Sequence, residues 1–454
     1  MRNKLTFCLV MLMVSANVII FAEGKPLSIE TARELALLNS RSLAGLNLTI
    51  RGNLLNEKTQ RYNMYPNISL GASASANLWT RDGVSGDIIK DSFSAGANLG
   101  ISQRLYDGGK NAIQRAINSL NTEMSRQDAL AEFHSVMSAA DSAYYAVLEA
   151  AAALEAAESS LATSNLSLEI AEVRRASGMI SDAAYLQVLA ERASRETSRN
   201  QSRRDLALAR LRLRELLGIE NVPELEPVDM APLEELIILL SNLDDHGFEK
   251  LFTIFRREVQ SRNPAFVRAA LNSERAEKSV NLTERDYRPT LSASLSLPGI
   301  TYNTRNGIDY TSGGRLSINA SIPLDFWTIS ANVERQRNAL EQAAFNFRSA
   351  SSSLDIELST ILLDLISQAG QIISSRQALD YALRHIEHAL ELYRLARYSP
   401  SELSDAETLV RNSHNQLSRS QYAFLSSLSR MRSAGVFDSE DDVIALIKTV
   451  NPVN

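Results

Sequence analysis

A chain of 454 residues is long enough for two or three globular domains, so any architecture it adopts can bury a sizeable core. With 53 Asp and Glu against 47 Lys and Arg, the formal net charge of −6 argues against a nucleic-acid partner. The single cysteine, Cys8, lies in an N-terminal apolar stretch, so the remainder is expected to hold neither a disulfide framework nor a thiolate metal site.

Residues 1–22 read as a secretory signal peptide, with Arg2 and Lys4 before a mostly apolar run from Leu5 to Phe21 and small Ala22 at a cleavage point. An uncleaved membrane anchor is the alternative, at the short edge of a spanning helix. No later run approaches about 18 unbroken apolar residues, so no further transmembrane helix is expected. From Leu27 to about Asn63 the chain reads as helix, with Ser28 as N-cap and Glu30 and Glu34 in the first turns. Tyr65-Pro66 ends it and turns the backbone into strand.

Two alternating strands follow, at about 66–80 and 92–106, joined across Asp82-Gly83. One face of the pair carries Ile68, Leu70, Ala72, Ala74, Phe93, Ala95, Ala97, Leu99 and Ile101. The opposite face carries Ser69, Gly71, Ser73, Asn98, Gly100 and Ser102. The same arrangement recurs at about 289–303 and 312–325, across Asn306-Gly307. These strands are long enough to cross a bilayer at a tilt, and their polar faces are uncharged Ser, Asn and Gly, as suits a water-filled lumen. A small soluble sheet packed on helices is the plainer alternative. Four strands cannot close a barrel, and lipid tolerates no unpaired edge, so several copies must join.

After Asp107-Gly108-Gly109 the apolar period becomes seven. Phe133, Ala140, Val147, Leu154, Leu161 and Leu168 form one stripe, and Leu358, Leu365, Ile372, Leu379, Ile386 and Tyr393 another. A third runs through Leu403, Val410, Leu417, Phe424 and Met431, and such repeats specify left-handed coiled coils. Ser177-Gly178 and Ser399-Pro400 read as the turns of long helical hairpins at 109–217 and 328–434. The expected organisation is therefore a first repeat at 23–218, a linker with a short helix at 219–247, and a second repeat at 248–436. A short helix capped by Asp438 or Ser439 closes the chain at 437–454. The expected fold class is mainly α and internally duplicated, with long coiled-coil hairpins as a helical stalk and four strands per chain contributing to a shared transmembrane β-barrel.

This order of features resembles the TolC-type outer-membrane efflux proteins. The residues that carry the resemblance are Tyr65-Pro66, Gln103-Arg104-Leu105-Tyr106-Asp107-Gly108-Gly109, Gly178-Met179-Ile180-Ser181-Asp182 and the helix from Tyr422 to Gly435. It implies a homotrimer in the outer membrane of a diderm bacterium, a twelve-stranded barrel in outer-membrane lipid, and a helical stalk that forms a periplasmic α-barrel, the tunnel. It also implies a periplasmic adaptor (membrane fusion) protein and an inner-membrane transporter of RND, ABC or MFS type, in efflux or type I secretion. The resemblance places pore-entrance carboxylates at Asp405, Glu407 and Asp182. Adaptor contacts fall on the two turns, at Gly178, Met179, Ile180 and Ser181 and at Ser401, Leu403 and Ser404. The family's entrance-tying arginine has no match, and Arg394 and Arg397 are the nearest substitutes.

Asp182 and Asp405 have a plainer reading as caps of the returning helices. His385 and His388 lie on one helical face beside Glu387 and Glu391, a pattern more common in solvated helices than in metal sites. Arg203, Arg204, Arg210, Arg212 and Arg214 read as a solvated face. Trp79, Trp327, Tyr106, Tyr302 and Tyr310 fit interfacial aromatic belts. No nucleophile elbow, phosphate loop or zinc-protease motif occurs, so no enzyme and no cofactor is expected. A periplasmic coiled-coil adaptor or scaffold without a pore is the alternative function.

Overall fold

A computed structural model describes residues 26–81, 88–303, 307–310, 314–395 and 397–449. The signal-peptide reading and the turns of both β-hairpins, at Asp82-Gly83 and Asn306, fall outside them. The chain divides into two compact units. One comprises Met1–Gly45, Ala129–Val267 and Ser351–Asn454; the other comprises Leu46–Asp128 and Arg268–Ala350.

The second of these holds the sheet. Strands β1 (Asn67–Arg81), β2 (Ile88–Tyr106) and β3 (Thr290–Asn303) pair antiparallel in that order. The strand expected at 312–325 is two pieces, β4 (Gly307–Tyr310) and β5 (Arg315–Ser321), both antiparallel to β3. Pro323, which cannot donate to a ladder, lies just past its end. Register aligns the apolar rows across strands: Ile68 opposes Ile101, Ile101 opposes Leu295, and Leu295 opposes Leu316. On the other face Ser69 opposes Gly100, Gly100 opposes Ser296, and Ser294 opposes Ser317. Helices α1 (Ile29–Asn39) and α2 (Arg41–Tyr62) precede the sheet as two segments, not one helix. Ser40 sits extended at the break and its hydroxyl accepts from the Leu43 N–H, a local bond that competes with helix continuation.

Two long hairpins follow the sheet strands. The first is α3 (Lys110–Ala176) with α4 (Asp182–Leu217). Between the repeats a 3₁₀ turn leads into α5 (Glu234–Ser241), then α6 (Asp245–Gln260) and α7 (Pro264–Glu284). The second hairpin is α8 (Phe326–Arg394) with α9 (Pro400–Gly435), and α10 (Glu440–Lys448), capped by Ser439, ends the described chain. Asp107 starts α3 by accepting from the Gly109 and Asn111 N–H groups at 2.9 and 2.7 Å. Gly108 and Gly109 take positive φ there, which a β-carbon would oppose.

The core of the first unit gathers Leu27, Leu213, Leu236, Leu240 and Phe255 around Leu358, Leu365, Phe424 and Met431. The heptad stripes of α8 and α9 are therefore buried where they meet it. A stretch within α8 is by length and composition apolar enough to cross a bilayer, which counting only unbroken apolar runs does not reveal. In α3 the seam leaves the predicted stripe: beyond Val147, Leu154, Leu161 and Leu168 are half-buried. Ala157, Ser160, Ser164, Ser167 and Ala171 are buried instead. Small side chains in a seam let neighbouring helices approach closely, at the cost of less apolar area per turn.

Candidate functional site

The candidate residues lie at the two hairpin tips and on the sheet. At the first tip α3 ends in a Schellman motif, with the Met179 N–H bonded to the Arg174 carbonyl at 2.8 Å and the Gly178 N–H to the Arg175 carbonyl at 2.9 Å. Gly178 has φ +69°, as the turn reading requires. Ser181, not Asp182, is the N-cap of α4, accepting from the Ala184 N–H. Asp182 is exposed and pairs with Arg175 at 2.9 Å. Met179 is exposed, as are Val173 and Leu186 on the flanking helices, while Ile180 is half-buried.

At the second tip Ser399 caps α9 in a full capping box with Glu402, and Pro400 takes the first helical position. Asp405 lies beyond the first turn and caps nothing, and its side chain is exposed. Ser401 is exposed, its hydroxyl 3.0 Å from that of Ser399. Leu403 is buried with Ala389, Tyr393 and Ala406, so this predicted contact residue belongs to the packing of the tip. Glu407, expected at a pore entrance, is likewise buried inside its own chain.

Around Glu407 the structure brings together residues that the sequence reading missed. The Ser167 hydroxyl of α3 donates to Glu407 at 3.3 Å, and the Arg195 guanidinium of α4 lies 3.7 Å from its carboxylate. Arg195 spends its Nη2 on the Ser404 carbonyl at 3.1 Å, the Ser404 hydroxyl at 3.0 Å and the Thr408 hydroxyl at 2.9 Å. Burial pushes the Glu407 carboxyl up to about 7, against the opposing pull of Arg195 and Ser167. Nearby, Arg174 lies 5.1 Å over the buried ring of Tyr393. Arg394 and Arg397, the substitutes suggested by position, are both exposed. Arg195 was legible in one respect, since it stands seven residues after buried Val188, at a seam position that normally carries an apolar side chain.

The apolar face of the sheet is exposed in the single chain. Ile68, Leu70, Leu316 and Ile318 are 65–80% exposed. Such a face is costly in water and matches lipid. Tyr65, Tyr106, Phe326 and Trp327 are exposed near the strand ends, where an interfacial belt would lie. The side chains of Trp79, Tyr302 and Tyr310 lie outside the described residues. The arginines from Arg203 to Arg214 are exposed on α4.

Solved structures share this fold. The CmeC outer membrane channel of Campylobacter jejuni is 15% identical, with 94% of this chain and 90% of that chain covered and a TM-score of 0.72. The outer membrane protein VceC of Vibrio cholerae is 16% identical, with 89% and 95% covered and a TM-score of 0.71. The MtrE outer membrane channel of Neisseria gonorrhoeae is 16% identical, with 89% and 88% covered and a TM-score of 0.69. No curated protein sequence matches the chain. The arrangement is thus a fold of long helical hairpins joined to an antiparallel sheet. The profile of the family described as outer membrane efflux protein matches residues 32–219 and 256–434, and the chain belongs to that family. It is an outer-membrane exit duct with a helical periplasmic domain, a passive channel and not an enzyme.

Proposed function

We propose that three copies of this chain form one duct, serving an efflux or type I secretion system, opened at its periplasmic end by an adaptor and an inner-membrane transporter. The observation that supports joining of several copies is the sheet, and the number three is what the family resemblance implies. Among the described residues, β1 pairs only with β2 and β5 only with β3, so both edges are free in a single chain. In lipid those backbone groups must find partners, and neighbouring copies supply them. The Ser- and Gly-rich face then lines the lumen and the apolar face meets lipid.

The hairpin tips form the periplasmic end in this reading. Gly178, Met179, Ile180 and Ser181, with Val173 and Leu186 beside them, offer the apolar contact for an adaptor, and Ser401 offers the polar one. Asp405, whose side chain is exposed, contributes to a carboxylate ring that concentrates cations in the pore. Asp182 is a weaker contributor, because Arg175 already neutralises it.

Planar-bilayer recording of the detergent-extracted oligomer tests this. Discrete channels are expected, blocked by divalent cations from the tunnel side, with weaker block and lower cation selectivity in Asp405→Asn. A protein recovered only as a soluble monomer would remove the duct; unchanged selectivity in the variant would remove Asp405 from the ring.

A further inference from the structure

Glu407 is a buried carboxyl that the duct itself does not require. It is 6% exposed and lies where α3, α4, α8 and α9 meet. From α3 it receives only the Ser167 hydroxyl. From α4 it faces Arg195 and, with the same sign of charge as itself, Glu191. Arg411 of its own helix and Tyr393 of α8 complete its charged and titratable surroundings. The one close guanidinium is poorly placed: 3.7 Å is beyond hydrogen-bond reach, and Arg195 Nε has no hydrogen-bond partner. The same guanidinium instead ties the Ser404–Thr408 turn of α9 to α4. The guanidinium is thus anchored on the Ser404–Thr408 turn, and Glu407 is buried without a hydrogen-bonded cation.

We propose that Glu407 is a proton-controlled latch: its neutral form holds the tip of α9 against α3 and α4, and its ionised form loosens that packing. The latch rests on the reading of this tip as the periplasmic end of the duct, and adds that the pH around the tip regulates how firmly it is held. When the tip is packed, burial holds the carboxyl near 7; when it swings into water, the carboxyl returns toward 4.5. The packed state thus binds the proton more tightly. Acid favours it, and its advantage declines as pH rises from about 4.5 to about 7. Above that window ionised Glu407, without a hydrogen-bonded cation, takes up water, and the added water loosens the packing of α9 against α3 and α4.

Hydrogen exchange on the intact, detergent-extracted oligomer tests the latch directly. In the wild type, peptides covering 400–411 should lose protection by roughly tenfold between about pH 5.5 and about pH 8, after correction for the intrinsic exchange rate. Glu407→Gln should keep them protected at both. Ser167→Ala, a smaller perturbation, should move the midpoint to higher pH, because that hydroxyl stabilises the ionised form. A wild type without pH response at 400–411, a Glu407→Gln variant that keeps that response, or an unmoved midpoint in Ser167→Ala would each overturn the latch. Conductance of the same preparation separates the two readings. A pH-dependent tip in a protein that never conducts supports the latch and counts against the duct. A conducting protein with a pH-independent tip does the reverse.

Discussion

Helix α9 is fastened at two places, and the chemistry of the two fastenings differs. Near its C-terminal end, Asp141 of α3 is fully buried between two guanidiniums, Arg432 at 2.8 Å and Arg33 of α1 at 2.5 Å, and also accepts from the Ser429 hydroxyl. Glu440 of α10 completes the set, bonding Arg33 and lying 3.3 Å from Arg432. Two positive and two negative groups balance, and four helices are joined. Near the N-terminal end, Glu407 has one distant guanidinium and one hydroxyl. A buried charge with matched partners makes a rigid joint, whereas one that is under-compensated becomes a titrating joint. One helix thus has a fixed root and an adjustable tip, which suits a duct that must stay assembled while its end opens.

The sharpest way to break this comparison is to cut each joint once. Asp141→Asn leaves Arg432, only 2% exposed, with Glu440 as its remaining carboxylate, and leaves the two guanidiniums one negative charge short. Breaking a buried pair on one side costs about 3–5 kcal/mol, so a large fall in the thermal midpoint of the extracted protein is expected. Glu407→Gln should be neutral or stabilising at pH 8, since the amide matches the form its surroundings favour. If Glu407→Gln proves the more damaging of the two, the root and the tip have been assigned the wrong way round.

The pH response gives the two ends opposite signs. His134, 8% exposed near the root, is held down to about 4 by burial and then by the positive charge of Arg432, while Asp438 pulls the other way. An unfolded histidine titrates near 6.5, so the folded state binds fewer protons between about 4 and 6.5. Its contribution to stability is complete above 6.5 and is lost as pH falls through that window, by at most about 3 kcal/mol. Urea unfolding at pH 7 and pH 4.5 should show the loss, and His134→Gln should flatten it. Acid therefore weakens the root and tightens the tip. Protection that moved in the same direction at both ends would remove the distinction.

Much of this architecture was written in local pattern. Period-two alternation, a change to period seven, and turn residues such as Gly178 and Ser399-Pro400 depend only on near neighbours, and the sequence displays them. The capping roles of Asp182 and Asp405 were misplaced by one and several residues, because serines upstream took the caps. The charge networks were out of reach for a different reason. Asp141, Arg432 and Arg33 are close only because three helices distant in sequence converge, and nothing along any one helix announces it. Even Arg195, conspicuous at a seam position, does not reveal whether it meets Ser404, Thr408 or Glu407. The side of α3 that packs was also hidden, since leucines outscore alanines and serines in any apolar count while the small residues form the closer seam.

A smaller effect sharpens the contrast at the first tip. Gly178→Val puts a β-branched residue at φ +69°, yet a β-carbon there would meet nothing within 4 Å. The penalty is therefore conformational alone, roughly 1–2 kcal/mol, and confined to the turn. The Met179 and Gly178 amides, which close the Schellman motif, should exchange faster by about 5–30-fold, and cross-linking to the adaptor should fall. The overall thermal midpoint and the pH response at 400–411 should not move, because Ser167, Arg195 and Glu407 sit further along the helices. A midpoint drop as large as that of Asp141→Asn would mean that the turn is coupled to the root, and that the two fastenings of α9 do not act separately.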